Sequence, residues 1–125
     1  MLSIQNLDLP DENTNSSMAL NIDPPEITFP AAGGSATVNI INQTESRLGF
    51  KVKSTNNEHY RVTPVYGFVN KSDKTELTIM RLQGPPKDDK FVVQWAEVPD
   101  EEDDPQAPFK AGAQAGEVIL PVKAE

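Results

Sequence analysis

From residue 19 onward the apolar positions recur every second residue rather than every 3.6, which predicts half-buried β-strands. In Leu48-Gly49-Phe50-Lys51-Val52-Lys53-Ser54-Thr55 the residues Leu48, Phe50 and Val52 share one face, and Lys51, Lys53 and Thr55 share the other. In Lys90-Phe91-Val92-Val93-Gln94-Trp95 the inward set is Phe91, Val93 and Trp95, with Lys90, Val92 and Gln94 outward. Val118, Leu120 and Val122 repeat the alternation. Further strands are predicted over 19–23, 26–29, 36–42, 60–64 and 76–82. Turn chemistry separates them at short intervals, in Asp23-Pro24-Pro25, Ala31-Ala32-Gly33-Gly34, Asn42-Gln43-Thr44, Asn56-Asn57, Asn70-Lys71-Ser72-Asp73 and Gly84-Pro85-Pro86. Many short strands without a stretch of helical period predict an all-β sandwich with very little helix.

A length of 125 residues fits one domain with a real core. Residues 1–18, rich in Asn, Ser and acidic side chains, offer little apolar surface to offset the entropy of ordering, so they are expected to form a flexible acidic tail ahead of a single domain over 19–125. Within the tail, Leu2, Ile4, Leu7 and Leu9 are a candidate short docking motif. With no cysteine and one histidine, His59, disulfide frameworks and thiolate or all-histidine metal sites are excluded. The net charge of −8 is unevenly spread. Residues 19–96 carry nine Lys and Arg against eight Asp and Glu, whereas residues 97–125 carry two against eight. An acidic chain without a basic stripe argues against nucleic acid, whose phosphates demand cations. No apolar run approaches the ~20 residues that span a bilayer, and the first residues lack a basic leader. Membrane insertion is therefore not expected, and the cytoplasm is the expected address.

The segments Leu20-Asn21-Ile22-Asp23-Pro24-Pro25, Phe50 to Thr55, Tyr60-Arg61-Val62-Thr63-Pro64, Gly67-Phe68-Val69 and Lys90 to Gln94 follow one another in this order. Together they resemble the major sperm protein domain, a family shared by nematode sperm cytoskeletal proteins and VAMP-associated proteins of the endoplasmic reticulum. Within the family, the loop Gln83 to Lys90 and the stretch from Gln106-Ala107-Pro108-Phe109 to Gly116 through Val122 resemble the sperm-specific class P and fibre accessory proteins. The resemblance implies an immunoglobulin-like, seven-stranded β-sandwich with a structural kink at Pro24 and Pro25. It also implies a cytoskeletal protein of the sperm pseudopod whose partners are major sperm protein filaments or other fibre proteins. The loops and the acidity depart from the filament-forming member, so a monomer is expected in preference to a dimer.

If the strands of Lys51 and Lys53 and of Lys90 and Val92 are neighbours, their outward side chains form one binding surface. The resemblance to VAMP-associated proteins implies a site there for acidic peptides with two phenylalanines, matched by Lys53, Ser54, Thr55 and Lys90, with Val92 where those proteins carry methionine. The candidate binding residues are thus Lys51, Lys53, Ser54, Thr55, Lys90 and Val92. The run Glu97-Val98-Pro99-Asp100-Glu101-Glu102-Asp103-Asp104-Pro105 holds six carboxylates in nine residues. It lacks the spaced ligands and central glycine of an EF-hand, so a solvated loop is expected rather than a calcium site, with docking of a basic partner a second option. His59 has no nucleophile elbow beside it, and Gly33-Gly34 is a turn rather than a phosphate-binding loop. No enzyme activity and no cofactor are expected.

Overall fold

The computed structural model describes residues 19–125, so the expected tail over 1–18 lies outside the described residues. The chain forms β1 (Leu20–Asp23), β2 (Ile27–Phe29), β3 (Gly34–Asn42), β4 (Leu48–Ser54), β5 (Tyr60–Thr63), β6 (Tyr66–Val69), β7 (Lys74–Arg81), β8 (Lys87–Glu97), a single-turn helix α1 (Ala107–Lys110) and β9 (Gly116–Ala124). One sheet has the order β2-β9-β8-β4-β6 and the other β1-β3-β7-β5. All pairings are antiparallel except β2 with β9.

The nine segments resolve into seven strands because two strands cross between the sheets. β1 and β2 are halves of one strand divided at Pro24-Pro25, and β5 and β6 are halves of another divided at Pro64. A proline has no N–H to give to a ladder, so pairing stops there and resumes in the opposite sheet. The peptide bonds Asp23-Pro24 and Thr63-Pro64 are both cis.

The predicted alternation places the core. Leu48, Phe50, Val52, Phe91, Val93, Leu120 and Val122 from one sheet meet Leu20, Val38, Ile40, Leu77 and Ile79 from the other, all buried. Each such side chain contributes about 1.5–3 kcal/mol by leaving water. Tyr60 stands edge-on to Phe29 and Phe91, with ring centroids 5.6 and 5.5 Å apart. Trp95 is only half-buried at the rim of the core. It covers the paired Gly116, where a Cβ would come within 2.7 Å of the indole, just as Phe50 covers Gly67.

Asn42 is 1% exposed and ties down the upper end of the sandwich. Its Nδ2 donates to the carbonyls of Ser46, Val69 and Asn70 at 2.8–3.1 Å, and its Oδ1 accepts from the backbone N–H and hydroxyl of Thr44. At the lower end the buried polar residues include Asn56 and, each 2% exposed, Arg81 and Tyr60. Arg81 Nη2 donates to Pro85 O at 2.7 Å and the guanidinium lies 5.1 Å from the Tyr60 ring centroid. Arg81 Nε and Nη1 and the Tyr60 hydroxyl have no hydrogen-bond partner among the described residues. Burial pushes the Tyr60 phenol above its ordinary value of 10.0, with the neighbouring Arg81 pulling the other way.

Candidate functional site

β4 and β8 are adjacent and antiparallel, with Lys51 opposite Gln94, Val52 opposite Val93 and Lys53 opposite Val92. β9 adds Glu117 beside Gln94, Ile119 beside Val92 and Pro121 beside Lys90. The outer face of the five-stranded sheet therefore carries the row Lys53–Val92–Ile119, with Lys51 above it and Lys90 below. Lys53 and Lys90 are exposed, Val92 is half-buried and Ile119 is 48% exposed. An apolar strip thus lies in the sheet's plane among ammonium groups, suited to a ligand that combines apolar side chains with carboxylates.

Lys51, half-buried, reaches sideways to Tyr66, its Nζ 5.6 Å from the ring centroid. The hydroxyl of Thr55 donates to Asp89 Oδ1 at 3.0 Å and accepts from the backbone N–H of Lys90 at the same distance. Ser54 faces the other way. It pairs with the inward Phe91, its hydroxyl accepts from the Asn56 N–H at 3.0 Å, and it helps line a groove of about 290 Å³ with Val52, Tyr60, Val62, Val65 and Phe91. The structure thus gathers Lys51, Lys53, Lys90 and Val92 on one face, places Thr55 just past its lower end with the hydroxyl turned to Asp89, and sets Ser54 apart.

Two residues that the sequence reading passed over shape this region. Asp89 occupies an inward position, its side chain 2% exposed, and its Oδ2 accepts from Asn56 Nδ2 at 3.0 Å while Lys87 Nζ lies 3.7 Å from Oδ1. The alternation that places Phe91 and Val93 inside also places residue 89 inside, so a signal was present. Ile119, the second apolar member of the strip, stands out of phase between the inward Val118 and Leu120 of the same reading, and only the register with Val92 reveals its role.

The upper part of the same sheet face is roofed by the acidic loop and α1. Arg47 Nη1 donates to the carbonyls of Pro99, Asp100 and Glu102, the last at 2.7 Å, and its guanidinium carbon sits 3.8 Å from the Phe68 ring centroid. Phe109 of α1 meets Tyr66 at 5.9 Å, and a Cβ on Gly49 would lie 3.3 Å from Val98 and 3.6 Å from Pro108. Two of the loop's carboxylates are engaged locally: Glu102 Oε2 accepts from the Asp104 N–H and Asp104 Oδ1 from the Gln106 N–H. Among the described residues no group of three or more histidine or carboxylate side chains is placed to hold a metal ion. His59 is half-buried with its imidazole packed against Gly84. No helix among the described residues is long and apolar enough to cross a membrane.

Two packed sheets with strands that cross between them define an immunoglobulin-like β-sandwich, here with an open basic and apolar sheet face. The chain belongs to the major sperm protein (MSP) domain family, whose model matches residues 19–118. It is 63% identical over 101 residues to sperm-specific class P protein 34 of Caenorhabditis elegans, covering 81% of this chain and 94% of that one. The structure of WR4, a C. elegans MSP family member, superposes with a TM-score of 0.84 at 61% identity, over 86% of this chain and 98% of the other. SSP-19, an MSP-domain protein of the same organism, gives 0.81 at 46%, over 84% and 98%.

Proposed function

We propose that the protein is a non-enzymatic cytoskeletal accessory protein that binds MSP filaments and modulates fibre assembly in nematode sperm, acting in the cytoplasm of the pseudopod. The observation that carries this reading is the open Lys53–Val92–Ile119 row with Lys90 beside it. A single domain with one such face can cover or join a filament without propagating it. The sperm-specific relatives support the setting. The test is co-sedimentation of the full chain with preformed MSP filaments at low and moderate salt. Saturable pelleting that weakens with salt and is lost in Lys53→Glu/Lys90→Glu is expected. Absence of pelleting, or filament formation by the protein alone, overturns the reading.

The register of Lys53 with Val92, flanked by Lys90 and Thr55, favours a second reading as an adaptor for acidic peptides containing phenylalanine. Titration with such a peptide should show binding that Lys90→Asp/Val92→Asp abolishes. Unchanged affinity in that variant discards the adaptor.

A further inference from the structure

The lysine at the lower end of the open face is held by more than its strand. We propose that Thr55 and Asp89 are positioning residues of the docking face, which together fix Lys90 and keep a carboxylate turned away from an acidic partner. This inference rests on the docking role proposed above.

The ladder between β4 and β8 reaches Ser54 opposite Phe91. Beyond it the two chains are joined through Thr55. The Thr55 backbone N–H donates to Lys90 O at 3.1 Å, and its hydroxyl accepts from the Lys90 N–H at 3.0 Å while donating to Asp89 Oδ1 at 3.0 Å. Both main-chain polar groups of Lys90 therefore end on one exposed threonine. A side-chain oxygen stands where the next rung would use a carbonyl, so the chain can turn out of the sheet here with Lys90 still paired.

Asp89 supplies the other half of the latch. The inward phase of Phe91 and Val93 puts a carboxylate at this position, its side chain 2% exposed. A charge so well covered persists only with donors around it. Oδ1 accepts from Thr55, Oδ2 accepts from Asn56 Nδ2 at 3.0 Å, and Lys87 Nζ lies 3.7 Å from Oδ1. Asn56 is fixed in turn, its backbone N–H donating to Ser54 Oγ and its Oδ1 accepting from the His59 N–H, each at 3.0 Å. The connection from β4 to β5 is thus built around a negative charge held inward.

The consequence falls on the docking face. Thr55, Lys87, Asp88, Asp89 and Lys90 line an open cleft of about 330 Å³ at its lower end. The side chains of Lys87 and Lys90 are exposed there, and Asp88, opposite Lys123, is the other acidic group of the cleft. A partner carboxylate entering the cleft meets both ammonium groups while the Asp89 charge is engaged from within. Opening the latch would free the main chain of Lys90 and release the Asp89 carboxylate beside it, so one event would remove the attraction and add a repulsion. A binding group held by a supporting shell in this way loses affinity when the shell alone is altered.

Charge and positioning predict opposite signs for Asp89→Asn. Deleting a negative charge beside Lys90 would by itself tighten a contact made through lysines. An amide cannot accept from Thr55 and Asn56 with two oxygens, so the latch should loosen and the pelleting midpoint with preformed MSP filaments should rise about threefold. Thr55→Val keeps shape and charge and removes only the hydroxyl. In the full chain it should speed hydrogen exchange at the Lys90 amide about tenfold and leave Val38 and Leu77 of the opposite sheet unchanged. It should also raise the pelleting midpoint about fivefold, with Thr55→Ser returning both readouts to within about twofold of wild type. Thr55 is exposed, so its variants decide the matter if Asp89→Asn does not fold. Pelleting that is unchanged or tighter in Asp89→Asn, an unaltered Lys90 amide in Thr55→Val, or failure of Thr55→Ser to rescue overturns the proposal. Equal pelleting of wild type and Thr55→Val overturns it as well and leaves the filament reading standing. Wild type that does not pellet overturns the filament reading instead. The latch is then decided at the Lys90 amide, where faster exchange in Thr55→Val supports it and unchanged exchange removes it.

Discussion

The two ends of the sandwich treat their buried polar groups differently. At the upper end Asn42 makes five side-chain hydrogen bonds to four residues, and Arg47 spends its guanidinium on three carbonyls of the acidic loop and on the face of Phe68. At the lower end Arg81 and Tyr60 are as deeply buried, yet two guanidinium nitrogens and the phenol have no hydrogen-bond partner among the described residues. The upper end uses its polarity to close turns and hold a roof, which is the condition under which buried polar groups stabilise. The lower end mixes the two conditions: Asp89 is paired with Thr55 and Asn56, while the neighbouring Arg81 and Tyr60 keep unused hydrogen-bonding capacity.

Substitutions can separate the two ends. Asn42→Ala should have the largest effect, about 3 kcal/mol of lost stability in urea unfolding, because it strands buried carbonyls at the upper end. Arg47→Ala should cost about 1–2 kcal/mol, and hydrogen exchange should accelerate selectively in residues 98–110 as the roof loosens. A uniform acceleration would show that the roof is not a separate unit. At the lower end, Tyr60→Phe should change stability by no more than about 0.5 kcal/mol at pH 7, since it removes a hydroxyl that has no partner to strand. Its signature is alkaline. The folded phenol titrates above 10.0, so its contribution is intact below that value and is lost as pH rises through the folded pKa. Wild type should therefore lose stability above pH 10 more steeply than Tyr60→Phe, and coincident pH profiles would contradict the burial argument. Smallest of all, Lys53→Glu/Lys90→Glu should leave the unfolding midpoint within about 0.5 kcal/mol of wild type, because both side chains are exposed. This makes its effect on filament pelleting a statement about binding alone.

The sandwich was legible because its strands are half-buried: Leu48, Phe50 and Val52, or Phe91 and Val93, announce an inside and an outside by alternation alone. Strand limits were less so. β3 starts at Gly34 and β8 at Lys87, ahead of the predicted 36 and 90, because pairing with Arg81 and Ala124 extends them through polar residues that carry no periodic signal. β6 was visible only through the family resemblance, since three of its four residues are half-buried on mixed faces. α1 left no mark because a single turn has no period to detect. The adjacency of Lys53 and Val92 followed from the expected topology. The inward turn of Ser54, the clasp of Arg47 and the pairing of Asp89 with Asn56 are contacts across 33–55 residues of chain or depend on a strand ending, and no local pattern encodes them.

The two strands that change sheets at Pro24-Pro25 and Pro64 give the molecule a mechanical character. In a sandwich whose layers meet only through side chains, a shearing load on one sheet is resisted by nonpolar contacts, which slide. Here the covalent backbone passes from layer to layer at both lateral edges, so a tug on the lysine-bearing sheet is carried along the main chain into its partner. A domain stitched in this way transmits force as one body.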